Sequence, residues 1–259
     1  MKGPIALMTD FGLRDPFAGI MKGVILGINP SAQIVDVCHD IREGDIKSAA
    51  FALFMAFAYF PAETMFVIVV DPGIGTERKA IAAEIEDKIV VCPDNGILSW
   101  VLHHHELRKA VELSNGRFFL PKVSGTFHGR DVFAPVAANL SLGVGLQEFG
   151  KEINEPTTFA IPEVAEQGPG IQGEVVYVDR FGNLITNIPS ERLPDKARIH
   201  IGSVEVMGVG KAYGDVPQGH AVAVVGSMGC LEIAVNGGDA SQMLGASIGT
   251  HVVVYEEYR

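Results

Sequence analysis

Met65-Phe-Val-Ile-Val-Val-Asp-Pro-Gly-Ile-Gly-Thr-Glu-Arg78 is the stretch that decides how this chain is read. Its first six residues are an unbroken apolar run of strand length. With no polar residue at alternate positions, such a run reads as a strand buried on both faces, the kind found in parallel sheets covered by helices. Asp71 then stands where the strand leaves its sheet, which is where ligands bind in open α/β sheets. The glycine-rich continuation is neither a P-loop nor a Gly-x-Gly-x-x-Gly fingerprint, so neither ATP nor NAD is expected as a cofactor.

Outward from this stretch, strand-like and helix-like segments alternate. Ile5-Ala-Leu-Met8 precedes a helical Ala18 to Ile28, and Ile34-Val-Asp-Val37 precedes a helical Ile46 to Ala58. Downstream come short strands at Ala80 to Ile85 and Lys88 to Cys92, then helical stretches at Gly96 to His104 and Val132 to Leu140. Strand followed by helix, repeated, predicts a mostly parallel α/β/α sheet domain over residues 1–155. A stretch with Pro156, Pro162, Gly168, Pro169 and Gly170 breaks the rhythm, so residues 156–172 read as a linker. Residues 173–259 hold short β-like runs separated by turn formers and little helical periodicity, which predicts a smaller all-β barrel or sandwich.

The chain has 259 residues and 47% apolar content, enough for two domains with a substantial core. A net charge of −11 argues against a general nucleic-acid surface, which needs clustered Lys and Arg. No signal peptide is expected, and the apolar run from Ala49 to Phe60 is too short to span a bilayer. Cys38, Cys92 and Cys230 are odd in number, widely spaced and without metal-ligand spacing, which fits a reducing cytoplasm. His103-His104-His105-Glu106 invites a metal reading. Successive helical side chains diverge by about 100°, however, so a solvated helix end is expected there and no metal site.

Polar residues cluster at strand ends and in glycine-rich loops. Asp10, after the first strand, is either a loop or cap carboxylate or the acceptor of a ribose diol. Gly125-Thr-Phe-His-Gly-Arg-Asp131 sets His128 between glycines that let backbone approach a ligand, and an imidazole there can position or deprotonate water. Asp131 reads as a helix N-cap. In the second half, Asp179-Arg-Phe-Gly-Asn183 is either a β-turn or an aromatic platform, with Phe181 under a purine and Asp179 or Asn183 at its edge. Ser227 and Glu232 are further candidates for that pocket. Glu232 alternatively reads as the outward-facing member of an alternating strand.

Met8-Thr-Asp-Phe-Gly12, Val35-Asp-Val-Cys-His39, Asp71-Pro-Gly-Ile-Gly75 with Arg78, Pro93-Asp-Asn-Gly96, Gly125-Thr-Phe-His-Gly-Arg-Asp131 and Asp179-Arg-Phe-Gly-Asn183 fall in one order along the chain. In that order they resemble the S-adenosylmethionine hydroxide adenosyltransferases, hydrolytic relatives of the fluorinating and chlorinating S-adenosylmethionine enzymes. The resemblance covers nearly the whole chain. It implies an N-terminal α/β domain, a C-terminal β-barrel, and a homotrimer with active sites between subunits. It also implies hydrolysis of S-adenosylmethionine, with the R sulfonium epimer as an option, to adenosine and methionine, with no cofactor.

By position, the resemblance makes Asp71, Arg78 and His128 the water-handling triad and Asp10 the ribose ligand. Asp179, Phe181, Asn183, Ser227 and Glu232 become substrate contacts. Met228 stands where the halogenating relatives carry arginine, so the partner of the methionine carboxylate is not assigned. A histidine at 128 and the compact stretch from Asp71 to Gly96 favour water over a halide. Alternatives are a halide-using relative, a non-catalytic sensor of S-adenosylmethionine or adenosine, and a metal-dependent hydrolase built on the histidine cluster.

Overall fold

The structure, a computed structural model, describes residues 3–257, and the chain divides between Ala160 and Ile161 into two compact units. In chain order the first unit contains β1 (Ile5–Thr9), α1 (Phe17–Ile28), β2 (Ile34–Cys38), α2 (Ile46–Phe57), β3 (Met65–Val69), β4 (Ala80–Ile85), β5 (Lys88–Pro93), α3 (Ser99–His104), β6 (Leu107–Glu112), α4 (Ala134–Ser141) and β7 (Glu152–Ile153). Its strands form one sheet in the order β2-β1-β3-β5-β4-β6-β7.

The sheet is mixed rather than mostly parallel. β1 pairs in parallel with β2 and β3, and β3 with β5; β4 runs antiparallel to β5 and β6, and β6 to β7. The reason is local: only Glu86 and Asp87 separate β4 from β5, and a parallel pair needs a crossover of a dozen or more residues. Glu86 makes the reversal with φ of 50°.

Alternation along the central strands feeds two cores. Ile5, Leu7, Met65 and Val67 pack with Met21 and Ile25 of α1 and Val136 and Leu140 of α4. Ala6, Met8, Phe66 and Ile68 point the other way, to Leu53 and Phe57 of α2 and Val101 of α3. Each large side chain so buried contributes about 1.5–3 kcal/mol. The unbroken apolar run of β3 is thus the signature of a strand covered on both faces.

The second unit contains β8 (Ala165–Gln167), β9 (Gly170–Val178), β10 (Leu184–Pro189), β11 (Ala197–Ile201), β12 (Val204–Met207), β13 (Ala221–Val225), β14 (Cys230–Val235), α5 (Ala240–Leu244) and β15 (His251–Glu256). Residues 156–172, which read as a linker, carry β8 and the start of β9, a hairpin turning at Gly168 and Pro169. The sheet runs β12-β11-β15-β9-β10-β14-β13 with every strand pair antiparallel. The Gly210 N–H bonds the Ala223 carbonyl at 2.8 Å, bringing the segment after β12 to β13 and nearly closing a barrel. Ile199, Ile233, Leu231 and Val252 fill its interior. Among the described residues no helix is long and apolar enough to cross a membrane.

Candidate active site

The strand order puts β1 between β2 and β3, and the helices that follow β1 and β2 lie on opposite faces. The chain therefore parts at the carboxyl ends of β1 and β3, the switch point where open α/β sheets bind ligands. Asp10 directly follows β1, and Asp71 lies just beyond β3. Both line one cavity of 630 Å³, together with Phe11, Phe17, Gly44 and Phe127. Asp10 Oδ2 accepts the Gly44 N–H at 2.9 Å. Burial pushes the Asp10 carboxyl above its ordinary pKa, against the Gly44 bond that lowers it, and the charges of Glu43 and Asp71 push the same way as burial.

Asp71 and Arg78 form a fork. Arg78 Nε donates to Asp71 Oδ1 at 3.0 Å and Nη2 donates to Oδ2, with the two side chains only 8% and 3% exposed. Bidentate pairing of this kind fixes both planes and is stronger than a single contact. Arg78 Nη2 also lies 3.4 Å from His128 Nδ1. A guanidinium has only donors, so this contact is favourable only when Nδ1 is unprotonated and the neutral ring carries its hydrogen on Nε2. Burial, then the charge of Arg78, lowers the His128 pKa below its ordinary value, in the same sense.

The loops that hold these groups interlock. Gly75, at φ of +77°, sits where a β-carbon would stand 2.6 Å from the Gly125 carbonyl oxygen. Asn95 Nδ2 donates to the Val70 carbonyl at 3.0 Å and so ties the Pro93-Asp-Asn-Gly96 motif to the exit of β3. His128 opens a π-helical turn over Gly129–Phe133, a rare geometry that recurs at functional sites. Gly129 fits closely there: a β-carbon would stand 3.1 Å from Met21 Sδ and 3.3 Å from the Phe127 ring.

Asp131 is not the helix N-cap that its position suggested. It lies inside the π-helical turn, fully buried, accepting the Ser124 N–H at 2.8 Å and a fork from Arg130 at 2.6 and 3.0 Å. Burial would raise its pKa, but these bonds prevail and hold it low. Its part is to tie down the loop that leads to His128.

Three aromatic residues escaped the sequence reading. Phe11, Phe17 and Phe127 meet edge to face with centroids 5.4–5.8 Å apart and line the cavity. Phe11 and Phe127 stand beside Asp10 and His128 in their motifs, and that adjacency was the available signal. In the histidine cluster the His103 and His104 rings meet edge to face with centroids 4.9 Å apart, while His105 stands in extended backbone just past the end of α3. His105 Nδ1 bonds Glu86 at 2.9 Å, while His104 stacks on Phe54 with centroids 4.6 Å apart. Among the described residues no group of three His, Cys, Asp or Glu is placed to hold a metal ion.

In the second unit, Asp179, Phe181 and Asn183 share the turn between β9 and β10. Asp179 Oδ1 accepts the N–H groups of Phe181 and Asn183 at 2.8 and 2.9 Å, and Oδ2 accepts Asn183 Nδ2 at 2.9 Å. The carboxylate thus builds the turn, leaving Phe181 75% exposed at its tip. Glu232 faces away from the barrel interior that Leu231 and Ile233 fill, as alternation predicts, but it is covered rather than exposed. It is buried in β14, opposite Val224 and Ile185, and accepts the Tyr213 hydroxyl at 2.7 Å. Burial raises the Glu232 pKa, and the bond to Glu232 pushes Tyr213 up to about 12. Tyr213 carried no sequence signal. Ser227 lies exposed in the turn between β13 and β14.

Residues 5–150 match the family model described as SAM hydroxide adenosyltransferase N-terminal domain, and residues 173–253 match the corresponding C-terminal domain. An (R)-S-adenosyl-L-methionine hydrolase from Thermus thermophilus is 39% identical over 96% of this chain and 98% of its own. One from Salinispora tropica is 39% identical over 96% of this chain and 97% of its own. A crystal structure of a conserved protein from Thermotoga maritima superposes with a TM-score of 0.90 at 38% identity, covering 97% of this chain and all of that one.

Proposed function

The chain belongs to the SAM hydroxide adenosyltransferase family, and from that premise we propose that it is an enzyme hydrolysing S-adenosylmethionine to adenosine and methionine, with the R sulfonium epimer as substrate. Its relatives carry that epimer in their names. The observation that carries the reading for this site is the Asp71–Arg78–His128 constellation beside a cavity at the sheet's switch point.

Water oxygen attacks the ribose C5′, and the C5′–S bond breaks with its electron pair going to sulfur. The leaving group is neutral methionine, so no general acid is needed; the net release is one proton. The difficulty lies in aligning a weak nucleophile opposite sulfur and removing its proton as the bond forms. With Nδ1 turned to Arg78, His128 presents Nε2–H as a donor that orients the water oxygen. The remaining lone pairs of Asp71 take the proton. Arg78 holds that carboxylate in place and stabilises negative charge developing on the oxygen. Gly44 occupies Asp10 Oδ2, and Oδ1 is the acceptor we assign to a ribose hydroxyl. Phe181 is the assigned aromatic contact for adenine, with Asn183, Asp179, Ser227 and Glu232 as the remaining substrate contacts.

A homotrimer belongs to the same reading. Supporting it, the outer face of α1 exposes Ile20 and Leu26, and β-carbons added at Gly19, Gly23 and Gly27 would meet nothing within 4 Å. That face has room for a close-packed neighbour. Sedimentation equilibrium tests it, and a monomeric mass rejects it. Three unbridged cysteines support a reducing, cytoplasmic setting.

The deciding experiment is turnover of S-adenosylmethionine of known epimer content in oxygen-18 water, followed by mass spectrometry. Label in the adenosine 5′-oxygen is expected. Tight binding of both epimers with no products would leave a sensor as the function.

A further inference from the structure

The motif Val35-Asp-Val-Cys-His39 carries titratable groups that the chemistry above leaves unused, and they are joined to the site by an unbroken hydrogen-bond chain. We propose that Thr9, His39 and Asp36 form a positioning chain that fixes Asp10 for the ribose, an inference that rests on Asp10 being the ribose ligand. Buried His39 places Nδ1 2.8 Å from Thr9 Oγ1 and Nε2 3.0 Å from Asp36 Oδ1. Lys22 of α1 closes the outer end, donating to Asp36 Oδ2 at 2.6 Å.

The inner end clasps Asp10 from both sides. Thr9, fully buried, accepts the Phe11 N–H on Oγ1 at 3.3 Å, and the His39 carbonyl accepts the Gly12 N–H at 2.7 Å. Thr9 and Gly12 are therefore tied to His39, by ring and by main chain, and Phe11 is tied to Thr9. The donor directions agree along the whole path. A carboxylate at Nε2 requires hydrogen on that nitrogen, so in the neutral ring Nδ1 accepts the Thr9 hydroxyl, and the hydroxyl's free lone pairs receive Phe11.

A local irregularity in β2 makes the chain possible. Residues three apart on a regular strand face opposite ways, which would separate Asp36 from His39. Here Leu7 pairs with Asp36 but Met8 pairs with Cys38, so Val37 is an extra residue. The strand then ends at Cys38, and His39, in the bend just past it, brings its ring back to the face that carries Asp36, the re-aiming that irregular strand ends provide near sites. That face is the one bearing Lys22 on α1. Placement of a binding carboxylate depends on such locked supports, because a shift of about 0.5 Å already degrades recognition.

The test uses the full chain, S-adenosylmethionine, and an analogue lacking the ribose 2′-hydroxyl. Thr9→Val keeps the shape and deletes the hydroxyl. It is expected to raise KM for S-adenosylmethionine about tenfold while kcat changes less than about threefold, as loss of a positioning bond should. Thr9→Ser restores KM. Wild type should discriminate against the analogue, and Thr9→Val should lose most of that discrimination. If wild type turns over the analogue as well as S-adenosylmethionine, the ribose assignment of Asp10 fails and the chain's purpose fails with it. If wild type discriminates and Thr9→Val discriminates equally, the positioning chain alone is overturned. Asp36→Asn, at the half-exposed outer end, carries the same comparison should Thr9→Val not fold. An unchanged KM there, or a loss confined to kcat, overturns the proposal.

Discussion

Gly75 and Gly125 meet backbone to backbone: a β-carbon on Gly75 would stand 2.6 Å from the Gly125 carbonyl oxygen. The loop bearing Asp71 and Arg78 is thereby locked to the loop bearing His128. Gly75→Ala is expected to lower stability by about 1–3 kcal/mol, since φ of +77° adds strain to the collision, and to lower kcat/KM with it. Gly125→Ala meets nothing within 4 Å and should leave both near wild type. Thermal unfolding and steady-state kinetics of the pair check this.

Removing Arg78 strands a buried carboxylate. Asp71 is 3% exposed and loses its fork in Arg78→Met, at a cost of about 3–5 kcal/mol and with loss of turnover. Arg78→Lys restores charge but not the planar fork, so most of the activity stays lost. Denaturant unfolding midpoints and kcat measure the two effects separately.

His128 should titrate below the ordinary imidazole value of about 6.5, because burial and then Arg78 disfavour its cation. The unfolded chain then takes up the proton at higher pH than the fold does. Stability therefore declines as pH falls below about 6.5 and levels off under the folded pKa. The acid limb of kcat/KM should fall with that same depressed pKa. In Arg78→Met the Cε1 proton of His128, followed by NMR, should titrate at higher pH, since the repelling charge is gone and Asp71 is unpaired.

Glu232 is expected to trade stability for function. Its folded pKa is raised by burial, so its contribution is full below the unfolded pKa and lost as pH rises through the folded one. Glu232→Gln keeps an acceptor for Tyr213 and should raise the thermal midpoint at neutral pH, with the gain vanishing in acid. KM for S-adenosylmethionine should rise in the same variant if Glu232 contacts substrate. Calorimetry across pH, with kinetics, tests both.

Alanine at His103, His104 and His105 together should leave turnover unchanged, as should dialysis against a chelator. These rings are committed to Glu86, Phe54 and solvent. A loss of activity on chelation, restored by a divalent ion, would contradict this.

The central parallel strands were legible because covered strands must be apolar at every position, and Met65 to Val70 are. The antiparallel turn of β4 onto β5 was less so: alternating strand and helix suggested crossovers, and the two-residue Glu86-Asp87 reversal outweighed that trend. Asp10, Asp71, Arg78 and His128 could be singled out because glycine-rich loops at strand ends are where close approach to a ligand needs no side chain. Tyr213 gave no such sign, since its hydroxyl matters only through Glu232, nineteen residues away.

By itself the sequence determined the covered central strands, the carboxylates at their ends, and the ordered motifs that the family shares, because burial and backbone freedom act on neighbouring residues. Tertiary structure alone decided that the Arg78 fork closes on Asp71 and faces His128 Nδ1. It also decided that Asp131 is buried in a π-helical turn, and that the bend just past β2 returns the His39 ring to Asp36. Those outcomes depend on strand register and on distances between residues far apart in the chain, which no local pattern records.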